Sequence, residues 1–252
     1  MSDTQTKATH ELTEVEQIMV SRFANRFYSS RDVAIADLTA ILHAARHAGT
    51  GANVQPWRVY VTTGTAKAAL TDAIIDAHRQ RPSQHSSEYD YFPDPLPEPY
   101  ASRRREFGSV FYGSLGIAPG DLASRSAQTE RNCRFFDAPV GLVFTIDRRL
   151  EKGSWLDLGM FIQNVMLAAK SRGLDTCTQE FLARYQAVFR TCLPLASEEL
   201  VVCGMALGFG DPEWAKRRPQ MPKASIKEFA SLHGFEKFEK PDQTCGFGVL
   251  EN

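Results

Sequence analysis

Wound as a helix, the stretch from Ser154 to Arg172 shows apolar side chains on nearly every side: Leu156, Leu158, Met160, Phe161, Ile162, Val165, Met166 and Leu167. Such a helix must be covered all round, so it is expected to be the central, buried helix of the fold. Two apolar stretches are available to pack on it. Val140 to Ile146 alternates and branches like a strand, with Pro139 at its start, and Glu199 to Leu207 reads as a buried strand that closes at Gly208-Phe209-Gly210-Asp211-Pro212. Arg58 to Thr62 predicts a third, short strand. Thr13 followed by Glu16 forms a capping box for a first helix ending near Phe23. Ile35, Leu38, Ile41, Leu42 and Ala45 keep helical spacing over residues 34–48. Further helices are predicted over residues 65–79, 100–112, 119–131 and 180–193. No repeat or clean boundary interrupts this order. It predicts an α+β fold, one domain over residues 13–252 behind a loose tail of residues 1–12, which suits a length of 252 residues.

Charge and cysteine usage exclude several classes of function. A formal net charge of −1 speaks against a general nucleic-acid binder. Cys133, Cys177, Cys192, Cys203 and Cys245 form no CxxC pair, and their odd number fits a reduced protein better than a disulfide framework. The first sixteen residues are polar and acidic, unlike a signal peptide, and runs such as Ala138 to Ile146 are too short to cross a bilayer. A cytoplasmic protein without membrane or nucleic-acid partners is expected.

The common catalytic signatures are missing. No GxxxxGK[ST] phosphate loop, no GxGxxG between strand and helix and no GxSxG elbow occurs. His43 and His47 have a zinc-ligand spacing but no third ligand nearby, so a polar helix face is the better reading and no metal is expected. Residues 81–99 are rich in proline (Pro82, Pro93, Pro95, Pro97, Pro99) and carry Tyr89, Tyr91 and Phe92. A connection this long is either a disordered linker or a functional cover, and its aromatics favour the cover.

Three further segments carry a resemblance. Ser21-Arg22-Phe23-Ala24-Asn25-Arg26-Phe27 is similar to an R-[R/H]-S-x-[R/K] pattern. Gly49-Thr50-Gly51-Ala52-Asn53-Val54-Gln55-Pro56-Trp57 is similar to P-S-x-x-N-x-Q-P-W. Lys223-Ala224-Ser225-Ile226-Lys227-Glu228-Phe229 resembles a basic residue followed by P-L-x-E-F. With Asn132 to Val140, Gly153 to Leu167 and Gly173 to Phe181 between them, these segments resemble the nitroreductase family, in the branch that includes bacterial nitrobenzoate reductases. The resemblance runs from about Val20 to Phe229.

It implies a small, mostly antiparallel sheet surrounded by helices, an intertwined homodimer, flavin mononucleotide (FMN) and a ping-pong reduction of a small aromatic acceptor by NADH or NADPH. The flavin does the chemistry, so no side chain need be catalytic. Arg22 is placed for the FMN phosphate, with Lys223 as a second cation and Arg217 or Arg218 as alternatives. Arg26, one helical turn beyond Arg22 if the helix continues, is expected at the pyrimidine end of the flavin, where charge gathers at N1 and O2 on reduction. Asn53 and Gln55 can match that edge or the ribityl chain. Thr50 and Gly51 are expected to reach across from the facing subunit. Gln179 and Glu180 fall where a backbone N–H approaches flavin N5 in the family. Trp57 is expected in the core.

The chain departs from the pattern at Phe23 and Ala24, which replace a basic residue and a serine, and at Gly49-Thr50. These departures keep a non-catalytic flavin carrier open as an alternative; a reductive dehalogenase or a flavin-fragmenting enzyme are the others. For the acceptor, a lid or insert over about residues 81–130 is expected to stack Tyr89, Tyr91, Phe92, Phe111 or Tyr112 on an aromatic ring. A guanidinium from Arg103, Arg104 or Arg105 could bind a carboxylate, although a solvated helix face is the plainer reading of that run. If one reaches in, nitrobenzoate-like acids are preferred.

Overall fold

The computed structural model describes residues 11–234, the Arg217 side chain excepted, and the chain divides into two compact units, residues 1–219 and 220–252. The flexible-tail reading of residues 1–10 and Cys245 lie outside the described residues.

Within the first unit the chain order is α1 (Glu14–Ser21), α2 (Ile35–Ala45), β1 (Trp57–Thr63), α3 (Gly64–Gln80), α4 (Tyr100–Ser114), α5 (Leu122–Glu130), β2 (Val140–Asp147), α6 (Lys152–Ser171), β3 (Asp175–Gln179), α7 (Gln186–Cys192), β4 (Glu199–Gly208) and α8 (Pro212–Arg217). The strands form one antiparallel sheet in the order β1-β2-β4-β3. β4, and all of β2 but Asp147, are buried, which explains why they read as continuous apolar runs. In β2, Val140, Leu142, Phe144 and Ile146 face a core layer shared with Leu158, Phe161, Val165 and Ala169 of α6 and Ile41 and Ala45 of α2. Val143 faces the opposite layer, with Leu70, Ile74, Leu182, Tyr185 and Phe189.

β4 breaks this alternation. Its pairing with β2 skips from Cys203 to Val201, leaving Val202 as the extra residue of a β-bulge. Accordingly Leu200 and Val202 face the α6 layer, and so do Cys203, Met205 and Leu207. The side-chain phase slips by one at the bulge.

Several expectations need correcting. The first helix is capped by Thr13 and Glu16 as expected, but it ends at Ser21, and Arg22 is already extended (φ −67°, ψ 135°). The helix that carries Leu156 and Met160 is not buried all round: those residues are 73% and 45% exposed. The stretch 180–193 is a 3₁₀ segment, Glu180–Tyr185, followed by the short α7. β3 was not foreseen.

The outer edge of β3 is covered. There Ala24 bridges Thr176 and Asn25 donates its N–H to the Thr176 carbonyl (3.0 Å), while further along the segment Tyr28 bridges Gly210, just past β4. An edge strand thereby gains a partner for its backbone groups. In the second unit, Ser225 and Glu228 form a capping box that starts α9 (Ile226–Phe229).

Candidate cofactor and acceptor site

Asn25, fully buried, fixes the covering segment by using every polar group it has. Its amide nitrogen donates to Asp175 Oδ2 (3.0 Å), its side-chain oxygen accepts from the Phe27 N–H (3.1 Å), and its carbonyl accepts from the Tyr28 hydroxyl (2.9 Å). Asp175 also accepts from Lys170 Nζ (2.9 Å). The packing is close enough to require Gly210, because a Cβ there would lie 2.4 Å from Asp175 Oδ2 and 2.6 Å from Asn25 Nδ2.

The segment is extended, so the helical argument that set Arg22 and Arg26 on one face fails. The extended chain restores it with a different period: Arg22, Ala24 and Arg26 alternate with Phe23, Asn25 and Phe27. Ala24 is exposed, with a half-buried arginine on either side.

Arg22 packs on α6, its Nη1 3.9 Å from Met166 Sδ, and its Nε is buried without a partner. The Phe23 ring lies 3.9 Å from the Arg218 guanidinium and 5.5 Å from Lys170 Nζ, and Arg218 donates to the Ser21 carbonyl (3.4 Å). Where the expected pattern has a basic residue, an aromatic ring therefore gathers two cations from other parts of the chain. The buried hydroxyl of Thr176, opposite Ala24, also lacks a partner. An orphan guanidinium nitrogen, an orphan hydroxyl and a cluster of cations at one sheet edge fit an anionic group such as a phosphate.

Arg26 donates to the Ala24 carbonyl (3.3 Å). Its guanidinium lies 4.5 Å from the Phe111 ring centre and 5.7 Å from those of Phe107 and Phe136. Phe136 belongs to a turn in which Phe135, Phe136 and Asp137 all have positive φ (51°, 52° and 64°).

A second strained turn is the elbow. Ala52, Asn53 and Gln55 have φ of 48°, 58° and 52°, at roughly 1–3 kcal/mol each for a non-glycine residue, asparagine tolerating it best. Thr50 Oγ1 accepts the Gln55 N–H (3.4 Å), Gln55 Nε2 donates to the Asn53 carbonyl (3.1 Å), and the Gly51 N–H donates to Asp157 of α6 (3.2 Å). Residues 51–55 are all exposed, while Trp57 is half-buried and stacks on Phe161 at 4.6 Å. Asp157 under the elbow and Met166 under Arg22 are nine residues apart on α6, about 13 Å of helix rise. Among the described residues no hydrogen bond or ring contact joins the elbow to the arginine segment.

At the end of β3 the buried Gln179 side chain donates to the Asn132 carbonyl (2.9 Å), a structural role, and its Oε1 has no partner. Glu180 is half-buried, and burial raises its carboxyl above the usual range, opposed by the Arg184 charge. Lys223 is exposed in the second unit.

The proline-rich segment is pinned at one point. Glu88 lies between Arg148 (2.9 Å) and Arg190 (3.3 Å). The Tyr89 hydroxyl donates to the carbonyl of Val202, the bulge residue (2.6 Å), and its ring meets Trp155 edge-on at 4.9 Å. Burial is the main cause that raises the Tyr89 phenol, with Cys203, Glu180 and Tyr91 adding to it. Tyr89 is therefore an anchor whose ring packs against the core. Tyr91 and Phe92 are exposed and meet edge-on at 4.6 Å; Phe111 is buried, and Tyr112 lies beneath Arg125 at 4.3 Å. Arg103, Arg104 and Arg105 are exposed, and Arg105 pairs with Glu98 at 2.8 Å, so the carboxylate-binding expectation loses its support. His43 takes a 3.0 Å contact from Arg46, and no group of metal-binding side chains occurs among the described residues.

Sequence reasoning missed Asn25, Asp157, Lys170, Asp175, Phe107 and Phe136. Asn25, Phe136, Asp157 and Asp175 stood inside recognised segments as filler positions; nothing in the sequence marked Phe107 or Lys170.

Comparison with known proteins adds four findings. Residues 19–209 match the family described as the nitroreductase family. The chain is 43% identical to a nitrobenzene nitroreductase of Ectopseudomonas oleovorans, covering 86% of this chain and 96% of that protein. It is 37% identical to a 4-nitrobenzoate reductase of Pseudomonas putida, covering 89% and 97%. Its structure superposes with a TM-score of 0.85 on an FMN- and NADPH-dependent nitroreductase of Sphigopyxis sp. strain HMH, at 35% identity over 88% of this chain and 100% of that one.

Proposed function

This chain belongs to the nitroreductase family, and from that premise we propose that it is an FMN-dependent oxidoreductase that passes electrons from NADPH to nitroaromatic compounds. Its relatives are named for nitrobenzene, chloronitrobenzene and 4-nitrobenzoate, and its structural neighbours for FMN and NADPH. The observation that carries the reading is the cationic sheet edge, where Arg22 Nε is buried without a partner beside the small, exposed Ala24.

When bound, FMN supplies the redox chemistry, taking a hydride from the nicotinamide and passing electrons to the acceptor. The chain supplies position and charge. Arg22 offers its guanidinium to the phosphate, and Arg218, stacked on the Phe23 ring, adds to the positive field, whereas the Lys170 charge is offset by Asp175. Arg26 serves the pyrimidine end of the ring. Asn53 and Gln55, with Thr50 and Gly51, offer hydroxyl, amide and backbone groups on an elbow whose strained backbone points to a functional role. The backbone at Gln179 and Glu180 serves N5. Tyr91, Phe92 and Tyr112 remain candidates to stack on the acceptor.

The surface supports a homodimer. Leu156 and Met160 sit one turn apart on an exposed face of α6, and Asp157 beside them holds the exposed elbow. A second copy seated on that face would bring its elbow to the facing site, which agrees with the lack of contact between elbow and arginines within one chain. Free Cys133, Cys177, Cys192 and Cys203 fit the reducing cytoplasm, and no helix among the described residues is long and apolar enough to cross a membrane.

The test is chromatographic and kinetic. The purified protein should release FMN, not FAD, on denaturation, and should turn over NADPH beyond one equivalent per flavin only when a nitrobenzene or nitrobenzoate is present. A protein that does not bind added FMN contradicts the reading.

A further inference from the structure

We propose that Phe111 is a positioning residue: with Phe107 and Phe136 it holds the Arg26 guanidinium in an aromatic cage that fixes the cation without neutralising it. The proposal rests on the reading that Arg26 serves the pyrimidine end of the flavin.

Three observations carry it. The first is the geometry, in which three ring centres lie within 6 Å of one guanidinium, Phe111 nearest at 4.5 Å and Phe107 and Phe136 each at 5.7 Å. Arginine is drawn to aromatic faces by the ring quadrupole, and the attraction grows when water is excluded. The second is the absence of a counter-charge: among the described residues Arg26 has no carboxylate partner, and its hydrogen bond goes to the Ala24 carbonyl. A carboxylate would fix the guanidinium equally well but cancel its charge. Rings fix it and leave the charge, and the remaining N–H donors, for the cofactor.

The third is the rigidity of the cage. Phe136 is buried in a turn of three successive residues with positive φ. That turn is locked by Phe135, whose ring lies where Cβ atoms on Gly141 and Gly204 would come within 3.1 and 3.2 Å. Opposite it, Phe107 and Phe111 stack nearly parallel on α4, at 5.7 Å and 5°. Phe111 is only 6% exposed, so its ring is committed to Arg26 and leaves no face for an acceptor, whereas Phe107 is 41% exposed. The expectation that Phe111 stacks on the substrate gives way to this one.

The experiment compares FMN-loaded wild type, Phe111→Leu, Phe111→Tyr, Arg26→Ala and the double variant Arg26→Ala/Phe111→Leu. It reads FMN affinity, the midpoint potential of the bound flavin, its rate of reduction by NADPH without acceptor, and the KM for nitrobenzene. Phe111→Leu should shift the preference for the reduced over the oxidised cofactor about tenfold, a drop of about 30 mV for a two-electron couple. It should slow reduction by a similar factor, with FMN affinity and KM little changed. Phe111→Tyr, which keeps the ring, should restore both quantities, and Phe111→Leu should add nothing in the Arg26→Ala background. A normal potential with a raised KM makes Phe111 an acceptor-stacking residue and overturns the proposal, as does a shift that persists without Arg26. If Arg26→Ala itself leaves the potential unchanged while FMN stays bound, the reading of Arg26 fails first. Should Phe111→Leu not fold, Phe107→Leu at its exposed position is expected to lower the potential by a smaller amount, and an unchanged potential there overturns the proposal.

Discussion

Arg26 carries a charge that no acidic side chain offsets among the described residues, so its effect should be felt most when negative charge arrives beside it. Arg26→Ala is expected to slow flavin reduction more than it weakens FMN binding. Losing one charge-assisted hydrogen bond corresponds to about 1.5–3 kcal/mol, and stopped-flow reduction by NADPH reads it directly; equal rates for variant and wild type contradict the role. Glu180 gives a prediction in pH. Burial raises its carboxyl in the folded state, so the folded protein holds the proton more tightly than the unfolded chain. The stability this lends is fully present below the unfolded value and is lost as pH rises through the folded one. Glu180→Gln should therefore stabilise the protein at pH 7 and make little difference near pH 3, and urea melts at the two pH values check it. Equal effects at both would contradict the assignment. At this scale Arg22 and Arg26 were legible because their spacing survives a change of backbone from helical to extended. Asn25 was not, since its meaning lies in Asp175, a contact across 150 residues of sequence.

Among the elements, the strand that escaped notice is instructive. Asp175–Gln179 is short and largely polar, so neither alternation nor an apolar run marks it. It is a strand because β4 pairs with it on one side and Ala24 and Asn25 meet it on the other. Equally invisible was the bulge at Val202, the residue whose carbonyl anchors the proline-rich segment through Tyr89. Tyr89→Phe should cost about 1–3 kcal/mol by leaving that carbonyl without its donor, and should speed proteolysis within residues 81–99. Unchanged stability and cleavage would show that the hydroxyl does not anchor the segment. The long helix α6 was legible in position and length, but an apolar surface on all sides does not reveal which side faces solvent within a single chain.

That exposed side is where the whole molecule enters. Three of the four strands and most of the helices around them were readable in the sequence, whereas β3 and the order β1-β2-β4-β3 depend on pairings between distant segments. If Leu156 and Met160 form the seam between two copies, the double variant Leu156→Glu/Met160→Glu should sediment as a monomer and lose FMN on gel filtration, because the elbow would no longer reach the facing site. A flavin-loaded monomer would falsify the shared-site arrangement. The central claim, that this chain carries electrons from NADPH through FMN to a nitro group, is tested most directly by anaerobic single-turnover spectroscopy of the FMN-loaded protein. One equivalent of NADPH should bleach the flavin absorbance, and nitrobenzene added afterwards should restore it in stoichiometric amount with no further NADPH consumed. Flavin that NADPH does not reduce, or that stays bleached in the presence of the nitro compound, would contradict it.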